Sequence, residues 1–140
     1  MTPSAIFVPF FVVMLLTMIV WIYTYARRIP FVRGHKLTPE QLTPSEFARI
    51  SPPAVSNPSD NLKNLFEVPT LFYAVVLYLY VTQQVDTTYV IAAWMFVAFR
   101  ILHSAVQCTI NIIILRFTAY AASTLALWFM LIRASVNAVR

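Results

Sequence analysis

IFVPFFVVMLLTMIVWIYTYA, residues 6–26, is a run of apolar and aromatic side chains with one proline and no charge. At about 1.5 Å per residue a helix of this length crosses a hydrocarbon layer about 30 Å thick. Trp21, Tyr23 and Tyr25 near its end suit an interfacial aromatic belt, and Arg27 and Arg28 mark its stop. It lacks a basic leading segment, is longer than the about 7–15 residues of a signal-peptide core, and has no small-residue cleavage site behind it. The expectation is a retained membrane-spanning helix.

The rest of the chain repeats the pattern. Of 140 residues 60% are hydrophobic, 11% are charged and one is glycine. A soluble domain carries about 25% charge to cover its core, so lipid must solvate most of this chain. Further spans are expected at about 61–82, 88–109 and 113–134. Pro69 inside the second is tolerable where neighbouring helices satisfy the freed carbonyl. Residues 27–60 differ in kind. They hold Pro30, Pro39, Pro44, Pro52, Pro53 and Pro58, a density that argues against a long helix. The TPEQL and TPSEF pieces read as starts of short surface helical turns. The expected fold is an all-α integral membrane four-helix bundle forming a single domain over 1–140.

Charge sets the expected orientation. The net charge is +5 and the pI about 9.7. Arg27, Arg28, Arg33, Lys36, Arg49 and Lys63 lie between or beside spans one and two, whereas the link QQVDTT carries no basic residue. The positive-inside rule puts residues 27–60 in the cytoplasm and both termini on the other side. Arg133 and Arg140 dissent without reversing this. The basic residues then face anionic lipid rather than nucleic acid. Short loops and the absence of a targeting signal suggest a bacterial inner membrane.

Ionisable residues inside spans cost about 2.5–3.5 kcal/mol each at the centre, so they call for a reason. Glu67, Arg100 and Arg116 qualify, and the topology places all three in the cytoplasmic half of the bundle. Asp60, Asn64 and Glu67 share one helical face, and Arg100, His103 and Gln107 share another. These stripes are expected to meet each other, a subunit interface or a wet cleft. Glu67 with Arg100 could form a structural ion pair that fixes register. One glutamate cannot neutralise two arginines, so the cluster keeps a spare positive charge suited to a carboxylate, a thiolate or a lipid headgroup. Cys108 is the single cysteine, which excludes an intrachain disulfide, and it reads as a passive small residue. His35 and His103 are not at ligand spacing, so no metal site is expected.

Asn64-Leu65-Phe66-Glu67-Val68-Pro69, then Arg100-Ile101-Leu102-His103-Ser104, then Leu115-Arg116 before the last span, resemble the MAPEG family of membrane-associated proteins in eicosanoid and glutathione metabolism. The resemblance implies a homotrimer of four-helix subunits with glutathione between neighbours. By it, Asn64 and Glu67 contact the peptide, Glu67 facing its amino group, while Arg100 positions a carboxylate or braces the site, with His103 and Gln107 beside it. Arg116 matches the arginine that holds the thiolate, which attacks a hydrophobic electrophile or hydroperoxide arriving from the bilayer. Three positions depart from active members: Asp60 replaces an arginine, and Val68 and Gln107 each replace a tyrosine. Two readings follow. One is a glutathione-dependent transferase or peroxidase, and the other a non-catalytic scaffold or lipid-binding subunit on the same fold. A transporter or channel has little support, since no inverted repeat or broken-helix pair is present.

Overall fold

The computed structural model describes residues 2–139. After a 3-10 turn at Pro3–Ile6 come α1 (Phe7–His35), a 3-10 turn at Glu40–Leu42, α2 (Pro44–Ile50), α3 (Pro53–Val81), α4 (Thr87–Cys108) and α5 (Ile113–Ala138). Four of these helices, α1 with its leading turn, α3, α4 and α5, are long and apolar enough to cross a membrane.

Residues 27–60 are more helical than their prolines suggest. Helix α1 continues through Arg27, Arg28 and Pro30 and ends where Lys36 turns left-handed at φ 48°. Arg27 ends the apolar run without ending the helix, because Nε and Nη2 donate to the Tyr23 hydroxyl one turn back at 3.2 and 3.1 Å. Pro30 deletes one backbone hydrogen bond while holding φ near its helical value of about −65°. Pro53 occupies the start of α3, where N–H groups have no helical partner to lose. The TPEQL piece becomes the 3-10 turn, fastened by the Thr38 N–H donating to Gln41 Oε1 at 2.9 Å. TPSEF opens α2, in which Glu46 and Arg49 pair at 2.8 Å.

Helix α4 is innermost, with 56% of its apolar stretch buried against 22–33% in the other three. The core gathers on it: Phe96 stacks on Phe72 of α3 at 4.3 Å between centroids, and Val97, Leu127 and Met130 close around them. Helix α1 instead turns Phe11, Leu15, Met18, Ile19 and Ile22 outward, each more than half exposed, as lipid contact requires.

One end of the bundle is locked by an ion pair. Asp86 caps α4 by accepting the Tyr89 N–H at 3.0 Å. The same carboxylate takes both Nη atoms of Arg133 on α5, at 2.9 and 2.6 Å. Arg133 also lies 4.4 Å over the Tyr89 ring. The Arg133 guanidinium holds the Asp86 carboxyl below the usual carboxylate range. The stability contributed by Asp86 is therefore complete above about pH 3.9, the unfolded value, and lost as pH falls through the lower folded value. The pair is part-exposed, so solvent screening limits it. Asp86→Ala, which removes cap and pair together, is expected to cost about 1–2 kcal/mol at pH 7. Thermal unfolding in detergent checks this; a loss that persists undiminished at about pH 2 contradicts the pairing.

Candidate functional site

At the opposite end, α3 meets the end of α4 and the start of α5 along a polar seam. Asn57, Asn61 and Asn64 stand at spacings of four and three on α3, one stripe of that helix. Asn64 Nδ2 donates to Gln107 Oε1 at 3.2 Å. The Ser104 hydroxyl donates to Asn61 Oδ1 at 3.2 Å, and Asn61 Nδ2 approaches Cys108 Sγ at 3.4 Å. Asn111, left-handed at φ 46° in the α4–α5 turn, donates to Asn57 Oδ1 at 3.2 Å. Of the two expected polar stripes only Asn64 and Gln107 meet; the rest of the seam is made by Asn57, Asn61, Ser104, Cys108 and Asn111. They bind helix to helix through amides and hydroxyls, which satisfy one another without net charge.

Arg116 stands on the first turn of α5 at the edge of this seam, half-buried. Its Nη1 donates to Asn111 Oδ1 at 2.8 Å, a neutral acceptor. Among the described residues no carboxylate pairs with it. The Arg116 backbone oxygen lies 2.9 Å from His103 Nδ1. A carbonyl only accepts, so Nδ1 carries the proton and His103 ties α4 to the turn that bears Arg116.

Arg100 is fully buried, and none of its guanidinium nitrogens has a hydrogen-bond partner among the described residues. Its charge is held between two rings, Tyr120 at 4.9 Å and Phe96 at 5.3 Å. The structure therefore does not contain the Glu67–Arg100 pair. Glu67 is exposed and turned to the α1 side, and it enters none of the ion pairs of the described residues. The expected common face of Asp60, Asn64 and Glu67 also splits. Asn64 points to Gln107, whereas Asp60 and Glu67, seven residues apart, share the outer stripe with Lys63.

That outer stripe lines a groove of about 480 Å³ between α1 and α3, where Glu67 is joined by Lys63, Arg28, Tyr25, Thr24 and Ser59. A second pocket of about 300 Å³, reaching α2, shares Arg28, Ser59 and Lys63 with it and adds Asp60, Ser51 and Ser56. Arg28 is held at the junction by Phe47, its guanidinium 4.2 Å over the ring. Lys63 Nζ pairs with Asp60 at 3.0 Å. Arg116 and Gln107 do not line the groove. The subunit thus presents the candidate residues in three places: Asn64, Gln107, His103 and Arg116 along the seam, Arg100 in the core, and Glu67 in the groove. Arg28 and Lys63 escape sequence reasoning, which sees them only as topology charges. The signal for them is their recurrence with Glu67 beside serines and tyrosine. Among the described residues no cluster could hold a metal ion.

No curated protein and no solved structure matches the chain significantly. The profile of the MAPEG family matches residues 6–136, which takes in nearly all of the four membrane-crossing helices, the seam and the groove. The match covers nearly the whole chain, and the chain belongs to the MAPEG family.

Proposed function

We propose that this membrane protein is a glutathione-dependent transferase or peroxidase that acts on hydrophobic electrophiles, as a homotrimer with shared sites. The observation that carries the reading is the charge pattern of the α1–α3 groove. Glutathione has an α-ammonium, two carboxylates and a thiol. The groove sets the unpaired carboxylate of Glu67 among two cations, Arg28 and Lys63. Glu67 takes the ammonium, and the basic side takes carboxylate.

Arg116 supplies what the groove lacks. Among the described residues its guanidinium bonds only to a neutral amide, which leaves its positive charge to offer a thiolate. A free thiol has a pKa of about 8.5, and an adjacent cation in a poorly hydrated site favours the anion. The thiol gives its proton to solvent. The sulfur then forms a bond to an electrophilic carbon, or to the oxygen of a hydroperoxide, whose leaving group departs with the electron pair. Arg116 lies outside the groove of its own subunit, and a trimer contact brings thiol and guanidinium together. His103 is a positioning residue in this scheme, through its bond to the Arg116 carbonyl. Asn64 and Gln107 fix the seam on which Arg116 stands, and Arg100 braces the wall behind it.

Glu67→Gln separates this from other uses of the groove. It is expected to weaken glutathione binding about tenfold, as for loss of one charge-assisted hydrogen bond. It should leave binding of the desamino analogue unchanged. Equal losses for both peptides would remove Glu67 from the ammonium site.

A second reading, a non-catalytic scaffold or lipid-binding subunit, is favoured by one observation. Asn64 and Gln107 bond to each other, which leaves less of either amide to receive a ligand. In that case neither glutathione nor its analogue binds saturably.

A further inference from the structure

The pocket adjoining the groove holds a second carboxylate, and its place bears on the groove's charge balance. Asp60 lies seven residues before Glu67 on the same stripe of α3 and lines the pocket that shares Arg28, Ser59 and Lys63 with the groove. Its Oδ1 accepts from Lys63 Nζ at 3.0 Å. Both side chains are more than half exposed, so the pair is not a rigid clamp. Its effect is on the local field: an incoming carboxylate at Lys63 meets the ammonium and the Asp60 carboxylate together, and the two nearly cancel.

Arg28 differs from Lys63 in this respect. Its contact is the face of Phe47, which steadies the guanidinium but carries no net charge to cancel it. The groove therefore offers a ligand one effective cation, Arg28, and one unpaired carboxylate, Glu67. It is suited to one carboxylate and one ammonium, and not to a second carboxylate.

Resting on the glutathione reading above, we propose that Asp60 is a specificity-determining residue: by occupying Lys63 it makes the site indifferent to the second carboxylate of the thiol co-substrate, so that thiols with a single free carboxylate and a single amine are accepted as readily as glutathione. The class includes glutathione monoesters blocked at the glycyl end, γ-glutamylcysteine-type amides and other amino-acid thiols.

The test compares glutathione with its glycyl monoethyl ester, binding each to the purified full-length protein in detergent at low ionic strength, where charge effects are least screened. Wild type is expected to bind the two within about twofold of each other. Asp60→Asn frees Lys63 and should favour the free acid by about fivefold, the factor for one unscreened contact pair near a wet surface. Lys63→Met leaves Asp60 facing the ligand uncompensated and should move the ratio the other way, toward the ester. An acid-to-ester ratio that is the same in wild type, Asp60→Asn and Lys63→Met overturns the inference, whatever its value. Saturable binding of neither thiol by any of the three proteins overturns the glutathione reading itself, and this inference with it.

Discussion

Arg116→Ala is expected to lower glutathione-dependent turnover by about 100-fold or more while the assembled protein still elutes at its wild-type size. The magnitude is that of removing one preorganised group aimed at developing or standing negative charge, about 10²–10³ in rate. The side chain is a good candidate for so large an effect because little else claims it. It makes one hydrogen bond, to Asn111, and no ion pair with a described residue. It is half-buried at a helix start, so removing it leaves no core cavity. Arg116→Lys keeps the charge but loses the planar fork, and should recover part of the rate. If instead Arg116→Ala turns over normally, the thiolate is stabilised elsewhere or no thiolate forms.

Arg100 should behave in the opposite way from a structural ion-pair residue. Two ring contacts are worth about 2 kcal/mol each when desolvated. Against them stand several kcal/mol for burying the ion, and a further penalty for guanidinium nitrogens without partners. The desolvation cost outweighs the ring contacts. Arg100→Met, close in length and apolar, is therefore expected to leave thermal stability in detergent unchanged or raise it. Arg100→Ala opens a cavity between Phe96 and Tyr120 and should cost about 3–5 kcal/mol, by analogy with large-to-small core changes. Equal destabilisation by methionine and alanine would mean that the charge itself holds the fold. A stable but inactive Arg100→Met protein would mean that the charge is kept for the site.

Much of this architecture is legible in the residues. The spans are legible because membrane helices must be long and apolar, and residues 6–26 leave no alternative. The α3–α4 seam is legible only in part: Asn64 and Gln107 stand on faces that sequence spacing picks out and they do meet, whereas Asn57, Asn61 and Ser104 carry no charge to draw notice and His103 turns to the Arg116 carbonyl instead. Depth along a helix follows from counting residues. Azimuth does not. Glu67 and Arg100 fall in the same half of the bundle and could meet on depth alone, yet Arg100 points into the core and Glu67 away from it. One residue of error in assigning a helical face is about 100° of rotation, enough to part an ion pair. The groove is hidden for another reason. Arg28 and Lys63 look like ordinary interfacial cations in sequence. They come to line one groove only because α1 runs on past its apolar stretch through Pro30 and α3 begins early at Pro53. A dense set of prolines reads as a set of breaks, but a proline within a helix deletes one hydrogen bond and a proline at its start deletes none that matters.

If the groove binds glutathione and Arg116 holds it as a thiolate, both events can be followed at once. The most direct measurement is a titration of the purified, detergent-solubilised protein with glutathione, following heat of binding and ultraviolet thiolate absorbance together, with Arg116→Ala in parallel. Saturable binding to both proteins is expected, with a thiolate signal at neutral pH in wild type that is absent from the variant. No saturable heat at millimolar glutathione, or a thiolate signal equal in the two proteins, would contradict it.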